Sequence, residues 1–175
     1  MTETTAPEPW LRGTLGDVPA AARAVLHALQ LAEEDLKKWC GALSDAQLNA
    51  RPGGLAPLAF QIRHIARSID RLLTYAEGGQ LSKAQLEELR SEMEPGAQAA
   101  EIFSELTVQL RRAEQRIRAL AATEDLEAAR AVGRRALPTT LGGLLVHVAD
   151  HTQRHTGQAI TTAKIVRASS PEQRA

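Results

Sequence analysis

The sequence predicts an all-α chain arranged as a four-helix bundle, with a long crossover between helices two and three. Three observations carry this. Ala and Leu dominate the apolar residues while aromatics make up 3% of the chain; such a composition enters helices at low cost and gives strands few of the branched or aromatic side chains they favour. Four long stretches repeat their apolar residues at helical spacing. The connection between the second and third, about residues 80–97, exceeds the roughly two to eight residues that usually join bundle helices. At about 1.5 Å per helical and 3.3 Å per extended residue, it can run the length of a bundle, which would leave helices two and three parallel.

The first helix is expected to open near Asp17, a good N-cap, with Pro19 in its first turn, and to run to about Leu43. Val25, Leu29, Ala32, Leu36 and Trp39 form its inner stripe. Ser44-Asp45 starts a short helical turn, and the RPGG at 51–54 breaks it. Pro57 seeds the second helix, which ends at Gly78-Gly79. Ser82 to Met93 reads as a short amphipathic helix closed by Pro95-Gly96. The third long helix, roughly 98–122, turns Ile102, Leu106, Leu110, Ile117 and Leu120 inward. A loop containing Gly133 leads to Pro138, and Thr139 or Thr140 caps the fourth helix. The expected organisation is a flexible segment over 1–16, one domain over 17–167, and a frayed tail over 168–175.

The charges balance, 21 Lys plus Arg against 21 Asp plus Glu. No global field therefore draws the chain to nucleic acid or anionic lipid. The RRAEQRIR of the third helix is interrupted by acid and reads as a surface. No apolar run approaches the roughly 20 residues that cross a bilayer, and the first ten residues lack the basic start and apolar stretch of a signal peptide. Cys40 has no partner for an internal bridge, which fits a reducing compartment. A cytoplasmic protein is expected.

The chemistry lies in the histidines. Of five, His147, His151 and His155 are spaced i, i+4, i+8 on the fourth helix. Each step of four turns a helix by about 40°, so neighbours in the series share a face one turn apart. Two imidazoles so placed can bind one transition metal. A zincin protease would carry glutamate directly after the first histidine of the pair; Thr152 stands there. A ferritin-like di-iron site would need Glu-x-x-His pairs, and the sequence has none. His151 and His155 need a further ligand, and His64 on the second helix is the natural candidate. Three neutral imidazoles leave a coordination position open, the pattern of catalytic zinc, and by ligand type they suit Zn, Ni, Fe or Cu. His27 reads as a hydrogen-bonded core histidine. Arg63, Arg67 and Arg71 sit near the site and could hold an anionic substrate, although such a stripe is more often a solvated face. Asp150 could orient a neighbouring imidazole, against an equal expectation of an exposed carboxylate. Trp10 and Trp39 are expected in or beside the core.

The stretches FQIRHIARSIDRLLTY and LLVHVADHTQRHTGQ, with LSDAQLNARPGG upstream, resemble the DinB/YfiT superfamily of metalloenzymes over roughly residues 20–165. The resemblance implies a four-helix bundle of uncommon connectivity. It also implies a divalent metal ion, Zn or Ni before Fe or Mn, held by His64, His151 and His155. His147 stands where the family often has a further histidine, which implies a catalytic proton carrier, a group supporting the ligands, or an alternative ligand. Thr156 departs from the arginine many members carry after the last histidine, so no role for that arginine is carried over. The function implied is that of a metal-dependent transferase using a low-molecular-weight thiol, or a hydrolase-type enzyme; the alternative is a non-catalytic metal-binding stress or interaction protein. The partners expected are a small-molecule substrate, such a thiol among them, and a second copy of the chain as a homodimer, with neither nucleic acid nor membrane.

Overall fold

A computed structural model describes residues 6–123 and 125–169. The first five residues and most of the expected C-terminal tail lie outside the described residues. The chain is mostly helical, in the order α1 (Pro9–Arg12), α2 (Ala20–Cys40), α3 (Asp45–Asn49), a 3-10 turn (Pro52–Gly54), α4 (Leu58–Ala76), α5 (Lys83–Ser91), α6 (Ala99–Thr123), β1 (Ala129–Val132), β2 (Leu137–Thr140) and α7 (Leu141–Ser169).

The local signals explain most boundaries. Ser44 and Gln47 form a reciprocal capping box at α3, and Ser82 and Gln85 form another at α5. Pro57 caps α4, and Gly78, with φ at +79°, lets the chain turn just beyond it. Thr140 Oγ1 accepts from the Gly143 N–H at 3.1 Å, capping α7 as the sequence suggests.

Three expectations need correction. Helix α2 begins after Pro19 rather than at Asp17, whose carboxylate instead accepts from Arg118 at 2.6 Å. The loop expected around Gly133 is an antiparallel hairpin, β1 against β2, with Ala129 opposite Thr140 and Val132 opposite Leu137. It departs from an all-α chain, and its turn uses Gly133 at φ +71° and Ala136 at +47°. Trp10 is 61% exposed, its indole N–H donating to Glu8; the four residues of α1 are too few to cover it. Trp39 does lie beside the core, half-buried beneath the Lys164 ammonium.

The core runs between the long helices. Leu36 of α2, Ile62, Ile65, Ile69 and Leu73 of α4, Ile102, Leu106 and Ile117 of α6, and Leu145 and Val148 of α7 are almost wholly buried. Each such side chain contributes about 1.5–3 kcal/mol over its exposed state. Helix α7 packs against α2 and α4, and α6 against α4 and α2. Along α4 and α6 the ion pairs step the same way, Arg67 to Glu105 and then Glu77 to Arg116. Along α4 and α7 the hydrogen bonds step oppositely, Gln61 meeting His155 and Ser68 meeting His151. That opposition brings the histidines of α7 onto the polar stripe of α4. Among the described residues, no helix is long and apolar enough to cross a membrane.

Candidate metal centre

Helix α4 turns Ile62, Ile65 and Ile69 into the core, and this leaves Gln61, His64, Ser68 and Arg71 along one edge. Helix α7 buries Leu144, Leu145, Val148 and Thr152, and aims His147, His151 and His155 along the edge that meets them. Three histidines come together. One ring nitrogen from each of His64, His151 and His155 lies within 4.8 Å of the others, and all three residues are half-buried. The His64 and His151 Nε2 atoms are 3.3 Å apart.

The outer nitrogens decide the tautomers. His64 Nδ1 lies 2.8 Å from Glu92 Oε2, and His155 Nδ1 lies 2.7 Å from Gln61 Oε1. A carboxylate and an amide oxygen only accept, so both Nδ1 atoms carry protons. His151 Nδ1 meets Ser68 Oγ at 3.3 Å, while that hydroxyl gives its own proton to Ile65 O. Ser68 is left as an acceptor, so His151 too is protonated on Nδ1. His64 and His151 thus turn their Nε2 atoms toward one another, 3.3 Å apart, where a cation between them would accept both lone pairs.

The donor set fits a divalent metal. Tetrahedral ligands at the Zn–N length of about 2.0–2.1 Å are roughly 3.3–3.4 Å apart, and the closest pair here stands at 3.3 Å. Buried acceptors on the outer nitrogens orient such ligands and raise their basicity. Burial, reinforced by repulsion from His155, His64 and His147, pushes the His151 pKa down to about 4. Burial and His64 lower that of His155. Both are neutral at pH 7, as metal ligands must be.

Glu92, Gln61 and Ser68 are site residues that the histidine spacing does not reveal. Gln61 and Ser68 lie three residues before and four after His64, on its own face, so the helical stripe held that signal. Glu92 comes from the crossover segment, and no periodicity ties it to α4. It is 3% exposed and holds His64 with one oxygen and Arg71 Nη1 with the other, at 2.7 Å. Burial works to raise its pKa, but the hydrogen bonds from His64 and Arg71 outweigh that and hold it below the ordinary value.

His147 stands apart from the cluster, its ring centroid 5.5 Å from that of His151, and it is half-exposed. Asp150 is the exposed carboxylate: it binds Arg154 at 3.0 Å and reaches His147 only at 3.6 Å, beyond a hydrogen bond. Thr156 is buried and donates to Thr152 O. His27 is buried on α2, outside the cluster.

The arginine stripe is not the solvated face that its spacing favours. Arg63 donates to Glu94 O, and Arg67 to Glu88 O, Ser91 Oγ and Glu105. With Arg71 on Glu92, the three guanidiniums hold the crossover against α4. A cavity of about 190 Å³ lies against the cluster. His64, Ser68, Arg71, His147 and His151 line it with polar groups, and Leu72, Tyr75, Leu81 and Leu89 supply aliphatic and aromatic surface.

A family model described as the DinB superfamily matches residues 28–159, a span that takes in all three clustered histidines. No curated protein matches the chain.

Proposed function

The chain belongs to the DinB superfamily, and from that premise and the converging imidazoles we propose that it binds a divalent metal and uses the open three-histidine site in catalysis. The reaction proposed is transfer involving a low-molecular-weight thiol, with a hydrolase-type reaction as the other use of the same site. The observation that carries the metal reading is the convergence of the imidazoles: His64, His151 and His155 each bring a ring nitrogen within 4.8 Å of the others, while their Nδ1 atoms meet Glu92, Ser68 and Gln61. His64, His151 and His155 are the proposed ligands, Zn or Ni the first metals to test, and Fe or Mn the next.

When bound, such an ion supplies Lewis acidity, which lowers the pKa of a thiol or water brought to it. His147 lines the cavity and is half-exposed, which supports a role in carrying the released proton to solvent. The thiol must come from outside. Cys40 is buried, and burial pushes its pKa up to about 11, so it stays protonated and out of reach. A lone, unbridged cysteine also supports the cytoplasmic location that belongs to this reading.

The proposed architecture is a four-helix bundle with its crossover between α4 and α6. Its support is the same-direction stepping of the α4–α6 ion pairs, which a short connection does not allow. A non-catalytic metal-binding role is the second reading, favoured by the small volume of the cavity.

Elemental analysis of protein purified without a histidine tag tests the site. About one metal per chain is expected, falling to near zero in His64→Ala and His151→Ala. A screen of low-molecular-weight thiols against model electrophiles then separates the two readings: turnover lost in His147→Ala supports catalysis, and full metal loading without turnover for any thiol supports the second.

A further inference from the structure

Arg71 keeps hydrogen-bonding capacity beyond its hold on Glu92. Its side chain is 9% exposed, yet Nη1 to Glu92 is its one hydrogen bond among the described residues, and the residue lines the cavity beside the histidines. Glu92 divides its charge between Arg71 and the His64 N–H, so the guanidinium is incompletely neutralised. A guanidinium presents its N–H groups in a planar fork that matches a carboxylate. The remaining wall includes Leu72, Tyr75, Leu81 and Leu89, an aliphatic and aromatic surface that suits an apolar body. An apolar cavity of about 150 Å³ accepts benzene, so 190 Å³ admits a small ring or short chain carrying one acid group.

We propose that this cavity binds a small organic carboxylate, its anion held on the open edge of Arg71 and its apolar body against Leu72, Leu81 and Leu89. His64 and His151 line the same cavity, so the bound molecule lies beside them. The inference deepens the catalytic reading by naming the class of co-substrate, and rests on it only for what happens at the histidines; binding itself requires Arg71.

Calorimetric titration with benzoate, hexanoate and benzamide tests this on metal-loaded and metal-stripped protein. Benzoate or hexanoate is expected to bind both forms, and benzamide about tenfold more weakly or worse, because it lacks the charge for the fork. Arg71→Lys keeps the ion pair with Glu92, so the fold is preserved, but it loses the fork and should weaken carboxylate binding about tenfold. Leu81→Trp fills the cavity from the crossover side without touching the ion pair and should abolish binding. Metal content should be unchanged in both variants. The proposal is overturned if neither acid binds the wild type, if binding survives both substitutions, or if it vanishes on metal removal while ignoring Arg71→Lys, which would make the carboxylate a metal ligand. Binding that depends on Arg71 in a protein that holds no metal would sink the metal reading and leave this one standing.

Discussion

Glu92 Oε2 accepts the His64 Nδ1 proton at 2.8 Å, although the two residues belong to the crossover and to α4 and lie 28 positions apart in sequence. The contact makes a buried carboxylate of the connecting segment a support for the proposed metal ligand. Outer partners of this kind change metal affinity by about 10–100-fold when removed. Glu92→Gln should weaken metal binding within that range, because the amide still accepts from Nδ1 but no longer raises imidazole basicity. Glu92→Ala should also destabilise the fold by about 3–5 kcal/mol, since it leaves Arg71 buried without its counter-ion. Competition with a chromophoric chelator and urea unfolding measure the two effects separately.

The helices and the clustering of the histidines were largely legible in the sequence, and the residues that hold those histidines were not. Helical periodicity locates α2, α4, α6 and α7, because each buries one continuous stripe. The i, i+4 spacing of His151 and His155 survives into the structure, because a helix converts spacing directly into a shared face. The hairpin escaped notice because β1 and β2 are four residues each and carry mostly half-exposed positions; they bury too little for alternation to show. Glu92 escaped for a different reason. Its role depends on where a crossover is clamped by Arg63, Arg67 and Arg71, a tertiary relationship without local pattern. The same arginines read as a solvated face until the segment they hold is in place.

Chelation should lower the melting temperature. A ligand present at about 100 times its dissociation constant stabilises by roughly 2.7 kcal/mol, which for a domain of this size is about 5–10 °C. Scanning fluorimetry with and without a chelator should show that difference in the wild type. It should be absent in His155→Ala, whose melting curve no longer depends on metal.

Acid should destabilise the metal-free protein in a defined window. The His151 pKa falls from 6.5 to about 4 on folding, mainly through burial, so between those values the unfolded chain binds a proton that the folded one refuses. Stability therefore falls as pH drops from about 6.5 to 4. Glu92 acts in the same direction at lower pH: its carboxyl is held below the ordinary 4.5, so its contribution is present above that value and is lost as pH falls through the folded one. Urea unfolding of stripped protein at several pH values should show the decline, and His151→Gln should flatten the upper part of it. A slope unchanged in that variant would mean that another group carries the titration.

Gln61 should set the tautomer of His155. Its Oε1 lies 2.7 Å from His155 Nδ1, and the residue is buried. Gln61→Leu removes the acceptor at nearly constant volume. The stranded Nδ1–H would then cost about 1–3 kcal/mol, and the imidazole escapes that cost by moving its proton to Nε2, where it faces the metal position. Long-range proton–nitrogen NMR correlations of the stripped protein should report the Nδ1–H form of His155 in the wild type and a shift toward Nε2–H in Gln61→Leu. Metal affinity should fall about tenfold in parallel. An unchanged tautomer would show that the orientation of His155 is set by packing alone.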